Sequence, residues 1–447
     1  MSIRITALCI FVLFLCIYAW KDWFKSLCGL ILLMAVNQHE SMPTTMFGIQ
    51  GLNMWNILFL GTFLAWAVSR RREGLIWDMP RYITMLLLMY LAVIVLGVLR
   101  AAFDRSHLEG YPLKSLFSEE LINCIKWVLP GILLFDGCRT RRRVKIAIVC
   151  LLVMYCLIAA QVINRMPFES AFGGSDEIGN IRQSVCSDIG YSACDLSTFL
   201  AGASWGLLAV LPLIRQKKYW AIVLGAAGAV GFGQALTGGR AGYLAWGTTG
   251  LVLCLLKWRK YLIFAPVVVL LLSLIFTGAT ERILTGFGET DVTGQEVIND
   301  YNITSGRMLI WPYVIDKIIE SPIVGYGRLG MKRTGLANQL MTELGESFAH
   351  PHNLYLEVLL DNGILGSIPI VIFWGTMLLY SVRLFRSDNQ LFSAVGGLSL
   401  SLILAQLIAG IGSQHYYPRE STVGMWTAMF LASRVYLEDR RAQISQL

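Results

Sequence analysis

The sequence predicts an all-α, polytopic membrane protein of 12–13 transmembrane helices, and three observations carry the prediction. Of its 447 residues, 55% are hydrophobic and only 15% charged, against about 25% charged in ordinary soluble domains. So few charges cannot cover a surface that faces water. Apolar blocks of about 15–22 residues recur along the whole length, as a hydrocarbon core about 30 Å thick requires of a helix. Lys and Arg then gather at every second inter-helix loop, which is the positive-inside pattern. Thirteen Trp and seventeen Tyr suit aromatic belts at the two interfaces. The net charge of +8 raises a nucleic-acid partner only as a sum. Its alternating distribution points to a membrane and to no nucleic acid.

The elements follow from the apolar blocks in order. Residues 5–20 and 26–37 are each short for a full span, so the start is either two tilted helices or one span plus a half-helix. Lys21 and Lys25 stand where a signal-peptide cleavage site would need small residues, so the first helix is expected to be retained. Spans are then predicted over 51–69, 82–99, 120–138, 144–163, 196–214, 220–237, 241–256, 261–279, 363–382, 391–412 and 422–437.

The basic clusters at Arg70–Arg72 with Arg81, Arg139–Lys145, Arg215–Lys218, Lys257–Lys260, Arg383 with Arg386, and Arg440–Arg441 mark cytoplasmic loops. The loops 38–50, 100–119, 164–195, 237–240, 280–352 and 413–421 must then face outward. This divides one integral membrane domain into an N-terminal bundle (1–279), an outward loop with short amphipathic helices (280–352) and C-terminal spans (353–447). Eight of the ten cysteines lie in or beside apolar segments as small hydrophobes. Cys186 and Cys194 share an outward loop, where an oxidising compartment would let them pair and two free thiols is the other reading.

Polar groups near membrane depth are costly and therefore candidates for function. Four places stand out, all on the outward side. In Thr237-Gly238-Gly239-Arg240, a charge sits between two apolar segments, in a turn whose glycines let backbone approach a ligand. Arg240 alone would equally fit an arginine reaching lipid headgroups. In Thr304-Ser305-Gly306-Arg307, Ser305 or Thr304 offers a cap for a helix beginning near Arg307. Its apolar face would carry Leu309, Ile310, Val314, Ile315, Ile318 and Ile319, and Arg307 on its own could be a solvated helix-start residue.

The third place is His350-Pro351-His352-Asn353, where two of the five histidines stand two residues apart before an apolar segment. A neutral imidazole is the usual group for taking a hydroxyl proton near neutral pH. A zinc reading lacks further ligands at the right spacing, so no metal is expected; a hydrogen-bonded interfacial histidine is the plainer reading. The fourth, Arg182 in Asn180-Ile181-Arg182-Gln183-Ser184, leads through Asp188 and Tyr191 to a helix cap expected at Asp195, as either a substrate rim or ordinary loop. Together, three arginines and a histidine on one side suit an anionic ligand and a proton acceptor. Glu289, Asp291, Glu296 and Asp300 read as a solvated acidic stretch.

Over about residues 180–435 the sequence resembles the O-antigen ligase/polymerase superfamily, bacterial membrane glycosyltransferases that use undecaprenyl-diphosphate-linked glycans. The resemblance rests on His352-Asn353, nine residues, Gly363, two residues, Gly366; on Arg240, three residues, Leu244; and on Ser305-Gly306-Arg307 through Trp311 to Pro322 and Gly325-Tyr326-Gly327. It implies a GT-C-like fold in the bacterial inner membrane, a site facing the periplasm, and an inverting transfer that needs no metal or other cofactor. It further implies His352 as general base and Arg240 and Arg307 as the diphosphate site. His350 and Tyr326 would be supporting or acceptor contacts, and Arg182 matches the family pattern only loosely. The implied partners are the lipid-linked donor, a lipid A-core or lipid-linked glycan acceptor and membrane lipids, with room for a chain-length regulator protein. The motifs do not separate ligase from polymerase. A transporter or flippase of lipid-linked glycan is the alternative, and it would usually show internal repeats; none is visible. An inert assembly scaffold would tolerate replacement of Arg240 and His352.

Overall fold

Hydrocarbon offers no hydrogen bonds, so a spanning backbone must pair its own N–H and C=O groups, and the chain does so as helices. The computed structural model describes residues 3–46, 48–166, 175–275, 277–284, 289–290, 296–297, 306–346, 348–412 and 415–444. Among these, strand is confined to two two-residue antiparallel pairs, one joining Thr45 to Gln50 and the other Glu289 to Val297. Among the described residues, seven helical stretches are long and apolar enough to cross a bilayer: Arg81–Phe103, Arg141–Arg165, Ala193–Leu213, Lys217–Leu236, Arg240–Ile275, Leu354–Phe385 and Gln390–Ala409. The protein is an all-α polytopic membrane protein.

The open question at the start resolves into two short apolar helices, α1 (Ile3–Ala19) and α2 (Trp23–Asn37). The Asp22 carboxylate accepts from the Lys25 N–H at 3.3 Å and so opens α2 anew after a tight turn. Next come α3 (Met54–Arg72), α4 (Arg81–Phe103), α5 (Leu113–Phe117), α6 (Cys124–Gly137) and α7 (Arg141–Arg165). A wide π-turn over Ser118–Asn123 replaces the start of the span predicted from 120. After α8 (Ser175–Ile189), helix α9 (Ala193–Ala209) is capped by Ser192 rather than by the expected Asp195. The hairpin of α10 (Lys217–Leu236) and α11 (Arg240–Leu253) turns within three residues, and α12 (Ala265–Ile275) and α13 (Thr277–Leu284) follow. Helix α9 is the hub of the C-terminal half, packed against α10 and α11.

The segment after α13 supplies α14 (Arg307–Glu320), α15 (Gly330–Arg333) and α16 (Leu336–Leu344). Helix α14 starts at Arg307 as expected, entered through Gly306 at φ 73°; Thr304, Ser305, Asp291 and Asp300 lie outside the described residues. Its predicted apolar face divides. Ile310 and Val314 are buried in a small cluster with Leu340, Phe348 and Leu360, whereas Leu309, Ile315 and Ile319 stay exposed. The chain closes with α17 (Leu354–Phe385), α18 (Gln390–Ala409), which packs on α9, and α19 (Val423–Ile444), which packs on α6.

The main departure from expectation is α17, which begins nine residues before the predicted 363. Asn353 caps it, its side chain accepting from the N–H groups of Tyr355 and Leu356 at 3.0 and 3.2 Å. The polar residues Glu357, Asp361 and Asn362 break the apolar pattern of that first stretch, which is why hydropathy missed it. At Gly363 the helix kinks, with φ 58° and ψ −168°, a region open essentially to glycine alone. A Cβ there would meet the Ile323 carbonyl at 2.4 Å. In the same chain, a Cβ on Gly375 would meet nothing within 4 Å.

Gly363→Ala is therefore expected to destabilise the protein by at least the roughly 1–3 kcal/mol of such a backbone, and Gly375→Ala to be neutral or mildly stabilising. Thermal unfolding of the two detergent-solubilised variants checks this; equal transitions would contradict the kink.

Candidate functional site

The α10–α11 turn presents the first arginine. Gly238 takes φ 62° and Arg240 opens α11, while the Ser197 hydroxyl of α9 donates to the Gly239 carbonyl at 3.1 Å and fixes the turn on the bundle. Arg182, on α8, donates to the Gly238 carbonyl at 3.1 Å, so the loop and the turn are joined. Arg182 and Arg307 are both close enough to act on the charge of Arg240. The turn after α18 lies against this group: a Cβ on Gly412 would meet Nη1 of Arg307 at 3.1 Å and the Cβ of Ala241 at 3.5 Å. Three guanidinium groups from three separate segments therefore converge.

The histidines stand beside Arg307. Trp311 of α14 donates its indole N–H to the Pro351 carbonyl at 3.2 Å, tying the Arg307 helix to the His350–His352 segment. His352 adopts φ 53°, a left-handed conformation in which histidine is among the less disfavoured residues. Its N–H donates to Nδ1 of His350 at 3.3 Å, so that nitrogen is unprotonated. The two rings lie 4.0 Å apart, and His350 also meets His415 edge-on at 4.6 Å. A row of three imidazoles results, with His352 nearest Arg307. Burial and then the charge of Arg307 push His352 down to about 4. Burial, His415 and His352 push His350 down to about 3. Both are neutral at pH 7, and Nδ1 of His352 is buried without a protein partner.

Behind the row lies a buried ionic network. Arg328, only 5% exposed, donates from Nε to Glu120 at 2.7 Å and from Nη1 to Asp361 at 3.1 Å and Glu357 at 3.3 Å. Its guanidinium lies 3.7 Å from the Tyr417 ring centre. Asp361 also accepts from the Tyr417 hydroxyl at 2.9 Å and the Gly330 N–H at 2.9 Å. The other oxygen of Glu357 pairs closely with Nδ1 of His415. Among the described residues no group of three or more His, Cys, Asp or Glu side chains is disposed to hold a metal ion.

The structure thus brings together Arg182, Arg240, Arg307, His350 and His352. Tyr326 stands apart from them: its hydroxyl donates to Glu320 at 3.0 Å and its N–H to the Leu360 carbonyl. Burial and Glu320 hold that phenol up at about 12. Cys186 and Cys194 are both free thiols, and burial raises Cys186 to about 11. Sequence reasoning passed over His415, Arg328, Glu120, Glu357 and Tyr417. The signal available was the charged and aromatic run His415-Tyr416-Tyr417-Pro418-Arg419 between two apolar helices.

Residues 221–371, which hold Arg240, Arg307, His350 and His352, match the O-antigen ligase family model. A protein of Rickettsia conorii that carries the name of a polysaccharide ligase is 27% identical over 162 residues, 35% of this chain and 38% of the relative. The ComP-specific O-oligosaccharyltransferase of Acinetobacter baylyi is 35% identical over 95 residues, 20% of this chain and 17% of that protein. A Rickettsia typhi protein, also named for polysaccharide ligation, is 40% identical over 65 residues, 13% of this chain and 16% of its own length. These alignments span well under half of each relative. With the helical membrane fold, the matched segment, which carries the arginine and histidine motifs, and the named relatives support the O-antigen ligase superfamily for this chain.

Proposed function

We propose that this chain is a glycosyltransferase of the bacterial inner membrane, moving a glycan from undecaprenyl diphosphate to a sugar hydroxyl at the periplasmic face. The observation that supports it most is adjacency: a cluster of arginines abuts a row of neutral imidazoles through Arg307 and His352. Arg240 and Arg307 bind the diphosphate, for which planar, permanently charged donors are suited. Arg182 supports the same site through the Gly238 carbonyl.

In the reaction, the acceptor hydroxyl oxygen forms a bond to the anomeric carbon while the bond to the diphosphate oxygen breaks. The electron pair stays on the diphosphate, where the arginines stabilise the growing charge. His352 takes the hydroxyl proton, and attack opposite the leaving group inverts the anomeric centre. Diphosphate leaves without an acid to protonate it, and fixed guanidinium charge does the work that a metal ion does elsewhere. Two acceptors suit this chemistry, lipid A-core and a lipid-linked repeat unit; the word ligase in the names of the Rickettsia relatives favours ligation over polymerisation.

Deletion in the native bacterium followed by a polysaccharide gel tests the reading. Core without attached glycan, with polymer still on its carrier, is expected; single repeat units on the core would indicate a polymerase, and an unchanged gel would defeat both. His352→Ala should lower transfer by roughly 100-fold or more, as loss of a general base does, with folding and carrier binding intact. Arg240→Ala and Arg307→Ala should each weaken carrier binding about tenfold or more, as loss of a charge-assisted hydrogen bond does. Near-normal transfer by the His352 variant would remove the base assignment.

The pH profile gives a separate check. His352 is neutral above about 4, so kcat/KM for the donor should stay level from pH 8 to near 5, rather than fall around the ordinary histidine value of about 6.5. Bound diphosphate offsets Arg307, which raises His352. The acid limb of kcat is therefore expected at higher pH than that of kcat/KM. Coincident limbs near 6.5 would contradict the buried, arginine-adjacent setting.

A further inference from the structure

A second polar space opens on the other side of the histidine row. It is a cavity of about 260 Å³ walled by His350 and His415 and by Tyr111, Glu119, Glu120 and Arg419, among others. Arg240, Arg307 and His352 are not among its walls. Its chemistry differs from that of the arginine cluster. Arg328, which also reaches it, is already answered by three carboxylates. The Tyr111 hydroxyl bridges Glu119 at 3.1 Å and Glu120 at 3.4 Å, which makes the mouth a set of hydroxyl-binding groups and a poor place for a second anion.

One residue of the walls points to what enters. His415 is 3% exposed, and its Nδ1 is bound to the Glu357 carboxylate. A carboxylate accepts, so Nδ1 carries the proton and Nε2 of the neutral ring is a bare acceptor. That Nε2 is buried and has no protein partner. A buried acceptor left unsatisfied is costly, and the fitting donor is a neutral O–H, since an ammonium group would meet Arg419 and Lys332 in the same walls.

We propose that this cavity is the subsite for the acceptor sugar, with Nε2 of His415 accepting a hydrogen bond from one of its hydroxyls. The assignment rests on the transferase reading and adds to it the side from which the acceptor approaches. The diphosphate lies at the Arg307 end of the row and the acceptor sugar is held at the His415 end, from which its reacting hydroxyl extends past His350 to His352. Glu357, held by Arg328, fixes the tautomer of His415, and the carboxylates at the mouth favour a polyhydroxyl ligand over an anionic one.

The test uses the full-length protein in nanodiscs, an undecaprenyl-diphosphate-linked glycan as donor, and lipid A-core or a lipid-linked repeat unit as acceptor. His415→Phe keeps a ring against His350 and removes both ring nitrogens, Nε2 and the Nδ1–H that Glu357 accepts from. It is expected to raise the KM for acceptor about tenfold, the worth of one good hydrogen bond, while donor binding and the KM for donor stay unchanged. Glu119 is exposed at the mouth, so Glu119→Trp fills the cavity and leaves the three carboxylate partners of Arg328 in place. It should act in the same direction even if the His415 variant does not fold. Transfer by folded variants with an unchanged acceptor KM, or with only the donor terms moved, overturns the assignment and leaves a water as the partner of Nε2. If the unaltered protein transfers to neither acceptor, the transferase reading fails and the assignment falls with it.

Discussion

A guanidinium withdrawn from water is stable only if carboxylates go in with it, and the site end of this protein is organised around that requirement at Arg328. Glu120 comes from the π-turn before α6, Glu357 and Asp361 from successive turns of α17, and Tyr417 from the loop after α18. One guanidinium against three carboxylates leaves negative charge to be answered. The remaining acceptors are met by the Gly330 N–H, the Tyr417 hydroxyl and Nδ1 of His415. Four segments far apart in sequence are thereby locked together, and one of the locks is a histidine that faces the candidate site. Removing one partner of such a network strands the others, which makes it a rigid platform rather than an adjustable one.

That platform requires a helix that is polar at its start and apolar afterwards. The break at Gly363 supplies it. The 325–327 segment crosses α17 at the break, with the N–H groups of Tyr326 and Gly327 donating to the carbonyls of Leu360 and Asp361. The N–H groups of Ile364 and Leu365, beyond the kink, donate to Pro322 and Ile323. Backbone groups freed by the kink are thus satisfied by a neighbouring loop, as irregular backbone at such depth demands. The same crossing carries Arg328 inward, one residue beyond Gly327.

Ionic pairing also organises the other end of the bundle. Helix α4, with 23 residues, is about 34 Å long at 1.5 Å per residue. It runs from Arg81 to Phe103, and Arg100 in its last turn donates to the Gly325 carbonyl at 2.7 Å beside the site. Near its start, Asp136 is held by Arg70 and Arg139, and Asp78 by Arg434 in two parallel hydrogen bonds at 2.7 and 2.8 Å. Basic residues that read only as a topological signal are therefore partly structural, fastening α3, α6 and α19 together.

Composition, the length of the apolar blocks and the alternation of basic loops were enough to establish the helical membrane fold, because lipid imposes constraints that depend on residue type and spacing alone. The arginine and histidine motifs named Arg240, Arg307, His350 and His352, since a charge next to an apolar run is conspicuous in one dimension. Tertiary structure decided what those residues meet. Arg307 and Gly412 are more than a hundred positions apart, and Arg328 takes its partners from positions 120, 357 and 361. Glu357 and Asp361 fell between the loop ending at 352 and the span predicted from 363, because their polarity is cancelled only by a partner from another segment. His415 looked like one polar residue in a short turn, and its pairing with Glu357 arises only when the turn after α18 folds against the start of α17. Periodicity is local and survives in sequence; charge compensation is a meeting of distant segments, and only the folded chain brings it about.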